Sequence, residues 1–281
     1  MRLRRDQYRS VGRAAAETAE AIAGIELPSD SRAAAFFDLD NTLLHGASLF
    51  YLARGLHERD FFRTSDILRF GYQQIRFAAG AEHAVHMSEA RNTALSFIAG
   101  RSVAELSRIG EEIFEERMAS KIWPGTQAIA HLHMDQGQRV WLVTAAPAEI
   151  AAIIAKRLGL TGALGTVAEH TNGEYTGRLV GDLLHGDAKA AAVEALAARE
   201  GLDLSLCSAY SDSANDIPML SLVGHPCAVN PDRKLRKHAK QHGWRIRDYR
   251  GRRRNTTLGV AAGSGAVAGT AAGILIARHR R

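Results

Sequence analysis

Acidic or hydroxyl residues stand where short apolar runs stop, and this placement constrains the fold more than any other feature of the chain. Residues 33–39 read AAAFFDL and run into Asp38, Asp40, Asn41 and Thr42. Residues 139–144 (RVWLVT) end in Thr144, and residues 204–210 run into Ser211, Asp212, Asn215 and Asp216. Short, nearly continuous apolar runs suit strands buried on both faces, as in a mostly parallel sheet. Open α/β sheets carry their sites at the C-terminal tips of such strands. A fourth strand is expected over residues 227–229. Between these runs the pattern turns helical. Val103, Leu106, Ile109 and Ile113 follow a helix period, residues 148–158 are rich in Ala and Ile, and residues 188–199 form a further helix. Pro124-Gly125 opens another element that Gly137 closes, and residues 174–180 after Asn172-Gly173 read as a hairpin. Strands alternating with helices predict an α/β, Rossmann-like core: a mostly parallel sheet flanked by helices.

A chain of 281 residues, 46% hydrophobic and 23% charged, has ample material for a core and is neither a disordered tail, a collagen nor a disulfide-built miniprotein. We find no internal repeat. Residues 46–120 read as helical and interrupt the strand pattern, which predicts a helical cap inserted into the core. The expected organisation is an N-terminal arm at 1–30, a core at 31–45 and 121–250, the cap at 46–120, and a basic, Gly/Ala-rich tail at 251–281. Cys207 and Cys227 have no metal-ligand spacing and read as buried free thiols of a reducing compartment. The basic N-terminus lacks a secretory apolar run, because Glu17 and Glu20 interrupt residues 14–25. The body is therefore expected in the cytoplasm.

The strand-end residues suit phosphate chemistry. A carboxylate can attack phosphorus and divide one difficult displacement into two easier ones. A negative nucleophile meeting a negative substrate needs a cation, and hard Mg2+ suits Asp38, Asp212 and the Asp40 carbonyl as oxygen ligands. A second acid can protonate the leaving oxygen and then deprotonate water. Lys189, at the start of a helix after Asp187, offers a fixed positive charge to phosphoryl oxygens, and Thr144 a hydroxyl.

These residues, in this order, resemble the haloacid dehalogenase (HAD) superfamily, subfamily IB, in its phosphoserine phosphatase-like branch. Motif one, DxDxT, matches Asp38, Asp40 and Thr42. Motif two matches Thr144, motif three Lys189, and the DxxND of motif four matches Asp212, Asn215 and Asp216. The resemblance covers about residues 33–230. It implies a HAD core with a C1-type helical cap, Asp38 as nucleophile and Asp40 as general acid/base. Thr42, Thr144, Ala145, Lys189 and Asn215 would hold the phosphoryl group. Asp38, Asp40, Asp212 and Asp216 would form the Mg2+ site, with Asn215 and Asp216 orienting it or completing its outer shell. The expected activity is phosphomonoester hydrolysis on a small-molecule or lipid-linked phosphate. Phosphoserine is the alternative substrate, and a non-catalytic membrane-associated scaffold is the alternative of another class.

The departures bear on substrate. Phosphoserine phosphatases carry a Glu about nine residues past the nucleophile, where this chain reads His45-Gly46-Ala47-Ser48. Their motif two is usually followed by Gly-Gly, here Ala145-Ala146-Pro147, and Arg91 is only a loose match for their carboxylate-binding Arg. The stretch 61–77 mixes aromatics with Arg and reads as an amphipathic cap helix that a larger substrate would also suit. His83 and His86 with Glu82 and Glu89 fit a solvated cap face better than a metal site, and His131 and His133 point to different sides of a helix.

Charge is divided along the chain. Residues 233–281 hold 14 Lys/Arg against Asp248 alone, whereas the rest holds 22 basic and 29 acidic residues. Residues 258–277 carry no charge over a length that would span a bilayer, with GxxxG steps at Gly259/Gly263, Gly265/Gly269 and Gly269/Gly273. Only six of the twenty are Leu, Ile or Val, so insertion would be marginal. The expectation is contact of 233–281 with an anionic membrane. Nucleic acid is disfavoured because no reading module accompanies the basic stretch. Self-association as a homodimer is left open.

Overall fold

The structure is a computed structural model and describes residues 30–59, 61 and 98–250. Its centre is β1 (Ala34–Phe37), four residues wholly buried, with Ala34 and Phe36 on one face and Ala35 and Phe37 on the other. After β1 the chain forms α1 (Ser48–Glu58) and α2 (Val103–Ile113), then α3 (Pro124–Asp135) and β2 (Arg139–Pro147). There follow α4 (Ala148–Arg157), β3 (Gly162–Thr166), the hairpin β4 (Ala168–Thr171) and β5 (Glu174–Leu179), and α5 (Asp187–Glu200). The last third comprises β6 (Ser208–Ser211), α6 (Ile217–Ser221), β7 (His225–Val229), α7 (Arg233–Gln241) and β8 (Arg245–Arg247).

Six of these strands form one parallel sheet in the order β3-β2-β1-β6-β7-β8. Ala34 and Phe36 join Val193 and Leu196 of α5, Met219 and Leu220 of α6, and Leu235 and Ala239 of α7 in one core. On the other face Phe37 stacks on Tyr210 at 4.3 Å and meets the edge of His133 from α3. The chain winds from β1 outward through β2 to β3, then returns to β6 and winds the opposite way. The order thus reverses between β1 and β6, the kind of switch point at whose strand tips doubly wound sheets bind ligands.

The expected strands are present with shifted ends. β2 runs three residues past Thr144 to Pro147. The run expected as a strand from 204 begins as a 3-10 turn, Leu204–Leu206, because Asp203 accepts from Ser205 N at 3.1 Å and caps it. Sequence patterning missed β3, which is Gly-rich, and β8, a charged edge strand. The hairpin turns on Asn172 and Gly173, both at positive φ (54° and 82°), as a two-residue primed turn requires.

The insertion after β1 packs through small residues. A Cβ on Gly55 would lie 2.5 Å from Ile113, and one on Gly110 2.5 Å from Ile150 of α4. Its return to the core is fastened by the hairpin: Gly100 N donates to Tyr175 O (2.8 Å), Tyr175 N to Arg101 O (3.0 Å) and Val103 N to Gly173 O (2.9 Å). One compact unit ends at Arg247. The expectations for the arm (1–29), for residues 62–77, for Glu82, His83, His86, Glu89 and Arg91, and for residues 251–281 lie outside the described residues. Among the described residues no helix is long and apolar enough to cross a membrane.

Candidate active site

Asp38 follows the last residue of β1, and its backbone N–H still donates to Tyr210 O of the neighbouring β6 at 2.9 Å. Its carboxylate is therefore fixed at the sheet's switch point. Lys189, on the first turn of α5, crosses to it: Nζ donates to Asp38 Oδ1 at 2.6 Å and to Asp216 Oδ2 at 2.8 Å. All three side chains are almost wholly buried. Ser211 Oγ donates to Asp216 Oδ2 (2.7 Å) and Thr42 Oγ1 to Asp38 Oδ2 (3.2 Å).

Two carboxylates thus share one ammonium. Burial raises the Asp38 carboxyl to about 6; Lys189 opposes that rise, and Asp216 and Asp40 add to it. Burial alone would lower the Lys189 ammonium, but Asp38 and Asp216 outweigh it and hold lysine charged well above its ordinary range. The buried cluster keeps an excess of negative charge, and Asp40 and Asp212 border it.

Asp40 is half-buried, and its Oδ1 accepts from Ser48 N at 2.8 Å, where α1 begins. Asn41 next to it takes positive φ (58°) and accepts from Gly46 N, closing the loop over the strand tip. Thr144 is buried and its Oγ1 accepts from Ala146 N at 3.2 Å, while Ala145 O accepts from Thr166 Oγ1 of β3 at 2.8 Å. Asp212 lies half-buried just past β6. The structure thus brings Asp38, Thr42, Lys189 and Asp216 into direct contact and sets Asp40, Thr144, Ala145 and Asp212 at adjoining strand ends. Asn215 is exposed, and its backbone donates to Ser213 Oγ; its side chain takes no part in the Lys189 network.

Among the described residues no three His, Cys, Asp or Glu side chains converge as a metal cage. The carboxylate of Asp216, expected among the metal ligands, faces Lys189 and Ser211. Sequence reasoning missed Ser211 as a partner of Asp216. It also missed Asn230 and Asp232, which contact the acidic loops, although Asn-Pro-Asp before a helical run is a turn and N-cap signal.

The haloacid dehalogenase-like hydrolase family model matches residues 35–221, from β1 to the end of α6. The chain belongs to this family. A phosphoserine phosphatase of Mycobacterium tuberculosis, SerB1, is 53% identical over 257 residues, which are 90% of this chain and 83% of that protein. A histidinol-phosphatase of Neisseria meningitidis is 27% identical, covering 77% of this chain and 98% of its own. Among solved structures, a protein of unknown function from Bordetella pertussis superposes with a TM-score of 0.68 at 30% identity, over 78% of this chain and 99% of that one. This HAD chain is a phosphatase of the phosphoserine phosphatase-like branch, and its core is the family's Rossmann-like α/β fold.

Proposed function

We propose that the enzyme hydrolyses a phosphomonoester through an aspartyl-phosphate on Asp38 in the presence of Mg2+. The observation that carries this reading is the buried Asp38–Lys189–Asp216 triad at the switch point. Apolar replacement of such buried ionic groups is often neutral or stabilising, so their burial at this point favours a chemical role over a packing one.

In the first step an Asp38 oxygen bonds to phosphorus as the bond to the leaving oxygen breaks, and Asp40 gives that oxygen a proton. In the second, Asp40 takes a proton from water as the water oxygen attacks phosphorus; the Asp38–phosphorus bond breaks and inorganic phosphate leaves. With Oδ1 held by Ser48 N, Asp40 presents Oδ2 for both transfers. Lys189 balances charge on the phosphoryl oxygens, Thr144 donates a hydroxyl hydrogen bond, and Asp216 holds Lys189 in place.

The donors suit Mg2+: carboxylates of Asp38 and Asp212 and the Asp40 carbonyl, with no nitrogen or sulfur. A pair of carboxylates is also its habit, since Mg2+ keeps several waters. Bound there, it would neutralise phosphate and nucleophile together.

The substrate is a small phosphorylated molecule or a lipid-linked phosphate, admitted under α1 and α2 acting as part of a cap. The second reading, phosphoserine, draws on the 53% identity to SerB1, against a rim of His45, Gly46, Ala47 and Ser48 with no acid for an amine. The two buried free cysteines support a cytoplasmic enzyme. A panel of phosphoserine, histidinol phosphate, sugar phosphates, nucleotides and lysophospholipid phosphates, assayed with Mg2+, tests the reading. Turnover of at least one by wild type, and loss of at least about a thousandfold in Asp38→Asn, is expected. No turnover of any would favour a scaffold that kept the fold.

A further inference from the structure

The loop after β7 reaches both acidic loops of the site. Asn230 is fully buried at positive φ (47°), its N–H donating to Arg247 O at 2.7 Å. Its side-chain Nδ2 donates to Asn41 O at 3.2 Å, so it reaches past the tip of β6 to the loop that carries Asp40. Two residues on, Asp232 N donates to Asp212 O at 2.7 Å. The Asp232 carboxylate divides its oxygens: Oδ2 accepts from Ala214 N at 2.8 Å, and Oδ1 accepts from Leu235 N at 2.7 Å as the N-cap of α7. The site's acids therefore depend on a corner that holds none of the family motifs.

We infer that Asn230 and Asp232 are positioning residues that set the separation of the Asp38–Asp40 loop from the Asp212 loop, and hence the affinity for the divalent cation between them. The physical need is clear. Asp38 and Asp212 are like charges on adjacent strand ends and repel when no cation is bound. Hydrogen bonds from the loop after β7, made by the Asn230 side chain to Asn41 O and by the Asp232 backbone and carboxylate to Asp212 O and Ala214 N, hold the loops at a fixed spacing, so the cation does not have to assemble them. Support of this outer kind typically changes metal affinity by about 10- to 100-fold.

The inference rests on the Mg2+-dependent reading above, and the test separates the two. Asn230→Gly keeps the left-handed backbone but removes the bridge to Asn41. Asp232→Ser keeps a good helix cap but loses the second oxygen that holds Ala214 N. Mn2+ binding by electron paramagnetic resonance, Mg2+ binding by calorimetry, and the Mg2+ dependence of turnover are measured on the full chain, with Tm alongside. Expected is a roughly tenfold or greater loss of cation affinity in each variant, matched by the shift in half-activating Mg2+, with kcat at saturating Mg2+ falling less. Lys234→Ala, exposed on α7 outside this corner, should bind as wild type. If wild type binds neither cation, the Mg2+ reading itself fails. If wild type binds but Asn230→Gly and Asp232→Ser bind equally well, the inference is overturned, whether their Tm or kcat falls or not.

Discussion

At the scale of single residues, the site is a set of charges whose partners are fixed by tertiary structure. Asp38, Asp40, Thr144 and Asp212 stand out in the sequence because acids and a hydroxyl end its apolar runs, and Lys189 because it opens a helix after Asp187. Their pairing does not. Spacing places Asp216 beside Asp212, and only the crossing of α5 shows that it faces Lys189. Equally silent in the sequence is the buried chain beside β1, where His133 meets Gln138 at 2.6 Å and the Tyr210 hydroxyl at 2.8 Å. Burial lowers the His133 imidazole to about 4 against the ordinary 6.5; the Gln138 hydrogen bond opposes this and His225 adds to it. The native state thus leaves His133 neutral where the unfolded chain takes up a proton. Stability is unaffected above pH 6.5 and declines as pH falls from 6.5 to about 4, by about 3 kcal/mol at most. Burial acts the other way on Asp38: raised to about 6, it binds its proton earlier in the metal-free native state, which gains stability as pH falls from 6 towards 3.8. Comparing wild type with His133→Gln cancels the Asp38 contribution. Denaturant unfolding at pH 7 and pH 4.5 should show a smaller pH-dependent loss in the variant, and an equal loss in both would remove His133 as its source.

At the scale of elements, periodicity located helices better than strands. α2 lies where its apolar spacing predicts, because it buries one face, and α4 and α5 lie within a residue of the helices expected at 148–158 and 188–199. β8 was missed because its arginines occupy an edge, and charge is how edge strands avoid pairing with other chains. The expected strand start at 204 gives way to a 3-10 turn for a steric reason as well as a cap. Gly224, just before β7, passes so close to that turn that a Cβ there would lie 1.8 Å from Ser205 O and 2.7 Å from its carbonyl carbon. Backbone cannot yield as a side-chain tip can. Gly224→Ala should therefore destabilise the protein by roughly 1–3 kcal/mol, read as a lower Tm with Asp38-dependent activity retained below the transition. An unchanged Tm would mean that the turn and β7 shift apart freely.

At the scale of the whole molecule, the division of charge has a structural counterpart. Arg54, Arg59, Arg108, Arg117, Arg139 and Arg157 all have glutamate partners. On α7, by contrast, Arg233, Lys234, Lys237 and Lys240 are exposed in a helix with no acidic residue. The expectation that residues 233–281 contact an anionic membrane surface is tested with lipid vesicles. Vesicles rich in phosphatidylglycerol should retain the full chain at low salt, phosphatidylcholine vesicles should not, and deletion of 256–281 should weaken retention. Equal behaviour on both lipids would end that idea without touching the catalytic account. The catalytic account depends on one covalent event. During turnover of the best substrate with Mg2+, acid-quenched enzyme should carry a phosphoryl group on the peptide containing Asp38, detectable by mass spectrometry and absent from Asp38→Asn. A phosphoryl group on another residue, or undiminished turnover in Asp38→Asn, would contradict it.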